Sequence, residues 1–106
     1  MKTIEQKIEL LRVIANPVRI KILMELGSGI RCAGDFLKLL DLSQPNISQH
    51  LSVLRNHKIV DYYMDHKQRC YFVTEPMVSE VIELLNKDFP ETTPRPGLCE
   101  IHSNSQ

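Results

Sequence analysis

The sequence predicts a mainly α-helical domain completed by a small β-hairpin, and three observations carry that reading. Apolar residues recur at helical spacing in successive segments separated by clear breakers, Asn16-Pro17, Gly27-Ser28-Gly29 and Glu75-Pro76. Downstream, Lys58–Met64 and Arg69–Val73 are rich in β-branched and aromatic residues and flank the polar stretch Asp65-His66-Lys67-Gln68, as two strands flank a tight turn. A chain of 106 residues supports one domain whose small core would gain from pairing with a second copy.

The first helix is expected from about Thr3 to Ile14, with Ile4, Ile8, Leu11 and Ile14 on one side and Thr3 with Gln6 as a capping box. Pro17 starts a second helix through Leu26, with Val18, Ile22 and Leu26 inward. Ile30-Arg31 reads as a brief extended segment before a third helix that begins near Cys32 and takes in Asp35–Leu40. Asp41-Leu42-Ser43 turns the chain into a fourth helix, capped by Ser43 and carrying Pro45 in its first turn. A last helix runs from Glu75-Pro76 to about Lys87, with Val78, Val81, Ile82 and Leu85 apolar. Residues 1–89 thus form the folded domain, and 90–106, with Pro90, Pro94 and Pro96, form an irregular tail.

The fourth helix is the most informative segment. Ile47, Leu51 and Leu54 make one buried stripe, and the remaining face carries Gln44, Asn46, Ser48, Gln49 and Ser52. Solvated helix faces usually hold Lys and Glu. Amide and hydroxyl groups suit the donor and acceptor pattern of base edges in a DNA major groove. Two short helices joined by a tight turn, the second with such a face, make a helix-turn-helix, and the following hairpin takes the position of a wing. Lys67 and Arg69 stand where a wing meets phosphates, and Arg55 and His50 belong to the same basic segment. The chain carries 13 basic and 13 acidic residues, yet from Ser43 to Cys70 only Asp61 and Asp65 oppose the basic groups, so the reading face is locally positive.

No Gly-rich phosphate loop, metalloprotease motif or paired-carboxylate pocket is present, so catalysis is not expected. No apolar run reaches membrane-spanning length and no secretory segment is evident, which predicts a cytoplasmic protein that does not engage membranes. Three cysteines, an odd number, argue against a disulfide framework and for a reducing compartment. Leu10, Leu11, Ile14, Val81, Leu84, Leu85 and Phe89 would leave an exposed apolar patch on a monomer, so a homodimer framed by the first and last helices is expected.

With these elements in order, the chain resembles the ArsR/SmtB family of winged-helix transcriptional repressors. The resemblance rests on Ala15–Leu23, on Leu42–Arg55, and on Ile59-Val60 followed by the hairpin that ends at Tyr71-Phe72-Val73, and it covers roughly Ile4 to Leu85. It implies a homodimer on double-stranded operator DNA, released by a metal, metalloid or thiol-reactive signal, with Gln44, Asn46, Ser48 and Gln49 reading bases and Ser43 among the DNA contacts. The arsenic-type site of the family implies two cysteines at the start of the third helix. Here the segment is Cys32-Ala33-Gly34-Asp35-Phe36, with glycine at the second position. The zinc-type site on the last helix needs a histidine that Val78–Phe89 lacks.

Cys32, Cys70, Cys99 and His102 remain as effector candidates. Cys32 reads either as a thiolate favoured by a helix N-terminus or as a passive small capping residue. Cys70 reads as core or as a partner of Cys32, which it would approach if Ile30-Arg31-Cys32 pairs with the second wing strand. Cys99 could fold back to Cys32 and complete a thiolate site for arsenite or a soft divalent metal ion. The competing mechanism is a redox or reactive-sulfur switch on a cysteine pair. A winged-helix module that only contacts proteins would instead carry an apolar or acidic reading face.

Overall fold

In the computed structural model, residues 1–97 are described, and helix α1 (Ile4–Ile14) opens as its sequence requires. The Thr3 hydroxyl accepts from Gln6 N–H at 3.1 Å while the Gln6 side chain accepts from Thr3 N–H at 2.8 Å. Asn16 Oδ1 accepts from Val18 and Arg19 N–H, capping α2 (Pro17–Gly27) behind Pro17. A two-residue strand β1 (Arg31–Cys32) leads into α3 (Ala33–Leu39), where the Asp35 carboxylate accepts from Cys32 N–H at 2.7 Å. Helix α4 (Gln44–Asn56) follows, capped by the Ser43 hydroxyl. Strands β2 (Val60–Asp65) and β3 (Gln68–Val73) form the hairpin, and α5 (Pro76–Leu85) closes the order. Residues 90–97 hold no helix or strand.

The sheet order is β1-β3-β2, antiparallel throughout. Beneath it, Ile22, Leu23, Phe36, Leu54, Ile59, Val60 and Val78 are almost fully buried, and Tyr71 meets Phe36 edge-on at 6.3 Å between ring centroids. The end of α4 explains why β2 starts two residues later than expected. Lys58 adopts φ 60°, and Ile59 N–H reaches back to the Leu54 carbonyl at 2.9 Å. This left-handed stop places Ile59 on Leu54, and both side chains are fully buried. The hairpin turn shrinks to His66-Lys67, because Asp65 and Gln68 already pair and His66 supplies a positive φ.

Two expectations are corrected. Ile14, placed on one side of α1 with Ile4, Ile8 and Leu11, parts from them: those three are 63%, 43% and 43% exposed, whereas Ile14 is buried with Leu10 and Val13. Leu10 and Ile14 therefore leave the predicted surface patch, which keeps Leu11, Leu84, Leu85 and Phe89 as exposed residues. Nor are the cysteines all free thiols. Cys32 and Cys70 form a disulfide, because the β1–β3 register sets them opposite each other. Cys32 is therefore not the isolated, helix-activated thiolate considered from sequence. No described helix is long and apolar enough to cross a membrane.

Candidate nucleic-acid interface

Helix α4 presents the predicted polar face outward. Ile47, Leu51 and Leu54 are 3%, 3% and 0% exposed, so the stripe is consumed by the core, while Gln44, Ser48, Gln49 and Ser52 are exposed and Asn46 is half-buried. Ser43, itself exposed, spends its oxygen on Asn46 N–H at 3.3 Å and keeps its own proton to donate. None of the exposed residues is plugged into the chain's own core.

The wing faces this helix across a cleft of about 530 Å³. Gln44, Ser48 and Ser52 line one wall, Lys67, Gln68 and Arg69 the other, and Gly34 of α3 lies on the rim, where an added Cβ would stand 3.7 Å from the Gln68 Oε1. The amide and hydroxyl side chains of α4 and the basic side chains of the wing therefore share one concave surface.

The remaining basic candidates are held by neighbours. Arg55 Nε donates to Asp61 Oδ1 at 3.0 Å, and its guanidinium lies 4.6 Å from the centre of the Tyr62 ring. Arg69 sits over the same ring at 4.6 Å. Tyr62 thus splints one arginine from α4 and one from the wing. The Asp61 carboxyl is held below the usual carboxylate range by the Tyr62 N–H and then by Arg55. His50 is half-buried and receives the Arg19 Nε–H at 3.2 Å. Burial, then the Arg19 charge, holds its imidazole below the ordinary value and favours the neutral ring.

The effector candidates divide. Cys32 and Cys70 are joined, Cys70 fully buried and Cys32 half-buried, linking the strand that enters α3 to the central strand of the wing. Cys99 and His102, the other arm of the expected thiolate site, lie outside the described residues. Sequence reasoning missed Asp65, one of whose carboxylate oxygens lies within 4.8 Å of both sulfurs. It also missed the Tyr62 splint; alternation along the wing strands could have signalled both once the register was known.

Residues 16–62 match the profile described as "Bacterial regulatory protein, arsR family". The chain is 37% identical over 76 residues to the biofilm growth-associated repressor of Agrobacterium fabrum, a match covering 72% of this chain and 65% of that protein. It therefore spans less than two thirds of that curated relative. Among solved structures it is similar to the transcriptional repressor PagR of Bacillus anthracis, with 32% identity and a TM-score of 0.72, covering 78% of this chain and 95% of that one. It is also similar to reduced HlyU from Vibrio cholerae, with 32% identity and a TM-score of 0.74, covering 76% of this chain and 85% of that one.

Proposed function

This chain belongs to the arsR family of bacterial regulatory proteins, and on that premise we propose that it is a sequence-specific DNA-binding transcriptional repressor, working as a homodimer, whose hold on its operator follows the state of the Cys32–Cys70 pair. One observation carries the reading: an exposed amide-and-hydroxyl helix face shares a cleft with a basic wing, and a disulfide ties the wing to the helix behind that face. Gln44, Asn46, Ser48 and Gln49 read base edges in the major groove, and Lys67 and Arg69 supply phosphate contacts that add affinity without sequence preference. Ser43, His50 and Arg55 flank them.

The disulfide favours the redox form of the switch over arsenite as first signal, because bonded sulfurs have no thiolate to offer a metalloid. Two thiols and one disulfide differ by two electrons and two protons, and the difference acts on the angle between wing and α4. A two-fold dimer through the exposed apolar residues of α1 and the end of α5 would present two such faces one DNA turn apart, so a change at each wing loses both half-sites together. PagR is named a transcriptional repressor, and the HlyU neighbour is described as reduced; both accord with the reading.

The test selects binding sites from a random duplex pool with the reduced protein, then measures affinity for the winning sequence before and after oxidation. A shift of tenfold or more that thiol reductant reverses, and that Cys70→Ser removes, is the expected result. Failure to enrich any sequence would overturn the repressor; equal affinity in both states would overturn the switch.

A further inference from the structure

Cys32, Cys70 and Asp65 belong to β1, β3 and β2, three neighbouring strands. Cys32 pairs with Cys70, and Cys70 with Tyr63. Side chains alternate along a strand, so Asp65, two residues beyond Tyr63, shares the face of the two cysteines and stands diagonally across from Cys70. One ligand atom from each of the three lies within 4.8 Å of the others. We propose that, when the disulfide is reduced, Cys32, Cys70 and Asp65 bind a borderline-soft divalent cation of the Zn(II) type, with water in the fourth position.

The inference rests on the reading of Cys32–Cys70 as a thiol pair that opens and closes. Opening requires a reductant, here a low-molecular-weight thiol: two molecules give up two electrons and two protons, become one disulfide, and leave both cysteines as thiols. The cation then displaces one proton from each thiol and ligates both sulfurs. Two thiolates and a carboxylate suit a tetrahedral Zn(II)-like ion and do not suit Mg(II) or Ca(II), which take oxygen ligands. The sulfurs of one such ion sit roughly 3.8 Å apart, from Zn–S bonds of about 2.3 Å, which rotation of two paired cysteines reaches without moving the strands. His66 Nδ1 lies 2.8 Å from Asp65 Oδ1 and steadies the carboxylate, as ligating carboxylates commonly are. The ion would fasten all three strands, whereas the disulfide fastens two.

Full-length protein, reduced with a phosphine and stripped of metal, is titrated with Co(II) and then Zn(II). One Co(II) per protomer is expected, with thiolate charge-transfer absorption and four-coordinate d–d bands, displaced by Zn(II). Asp65→Asn, at an exposed position, should weaken Co(II) at least about tenfold. Cys32→Ser should abolish the charge-transfer band, and Cys99→Ser should change nothing. Bound Zn(II) should also shield Cys32 and Cys70 from alkylation. Wild-type affinity and spectrum in Asp65→Asn, or loss of binding in Cys99→Ser, overturns the site. Operator affinity read on the same Asp65→Asn protein separates the two readings. If oxidation still shifts affinity while Co(II) fails to bind the parent protein, only the metal site falls. If Co(II) binds and oxidation leaves the operator untouched, the switch falls and the site stands.

Discussion

Helices α4 and α1 are of similar length and both amphipathic, yet they treat their apolar stripes in opposite ways. In α4 the stripe Ile47, Leu51, Leu54 vanishes into the chain's own core and the polar face is left free. In α1 the stripe Ile4, Ile8, Leu11 stays at the surface, and only Leu10, Val13 and Ile14 near its end reach the core. Periodicity shows that a helix has an apolar side; it does not show which molecule covers that side. Helix α4 turns its apolar stripe inward and leaves its polar face free, and α1 is left apolar outward, as a helix that meets a partner copy would be.

The sharpest way to break this contrast is in the core. Leu54→Ala should lower the unfolding free energy by about 2–5 kcal/mol in denaturant titration, since its cavity would open beneath both α4 and Ile59. Leu11→Glu combined with Leu85→Glu should leave the helical signal in place while sedimentation falls from two protomers to one, with tight operator binding lost. A double variant that unfolds like Leu54→Ala would make α1 a core helix after all. On the reading face, Gln49→Ala should cost about 1–3 kcal/mol of discrimination between operator and mismatched sites, whereas Lys67→Ala should weaken all sequences alike and reduce the salt dependence by about one counterion. Identical losses on every sequence in both variants would erase the division between base-reading helix and phosphate-meeting wing.

The smallest effect falls where Lys2, ahead of α1, meets the N-cap of α5. Glu75 is buried, accepts from Met77 N–H at 2.9 Å and pairs with Lys2 at 2.7 Å. Lys2 above all, with help from Met77 N–H, keeps its carboxyl below the usual glutamate value. The stabilisation is therefore present above the unfolded-state pKa and is lost as pH falls through the lower folded value. Glu75→Gln should cost about 1 kcal/mol near neutral pH, as loss of a helix cap does, and should flatten the acid limb of a stability–pH profile. An acid limb unchanged from the parent protein would mean that the Lys2–Glu75 pair and the Glu75 cap do not carry this stability.

Much of this was readable from the residues alone. Ser43, Thr3 and Asn16 sit before helical runs because their side chains satisfy free N–H groups, and that chemistry is local. The brief extended segment expected at Ile30-Arg31 is found as Arg31–Cys32, but its pairing with β3, which brings Cys32 to Cys70, stood only as a condition because it needs the register across the sheet. What could not be read depended on contacts across the sheet or between elements. The approach of Asp65 to the sulfurs needs the β2–β3 register, and the hold of Arg19 on His50 joins residues 31 apart in sequence. An exposed apolar side on α1 was expected and Leu11 is on it, but that Leu10 and Ile14 turn inward needed knowledge of what the rest of the chain covers.

The link between Cys32 and Cys70 also has a topological consequence, since the two residues are 38 apart and α4 lies wholly between them. Closed, residues 32–70 become a covalent ring that includes α4, and a ring of that size removes roughly 4 kcal/mol of freedom from the unfolded ensemble. The oxidised polypeptide should outlast the reduced one under protease, so the same two electrons proposed to tune its grip would also set its lifetime.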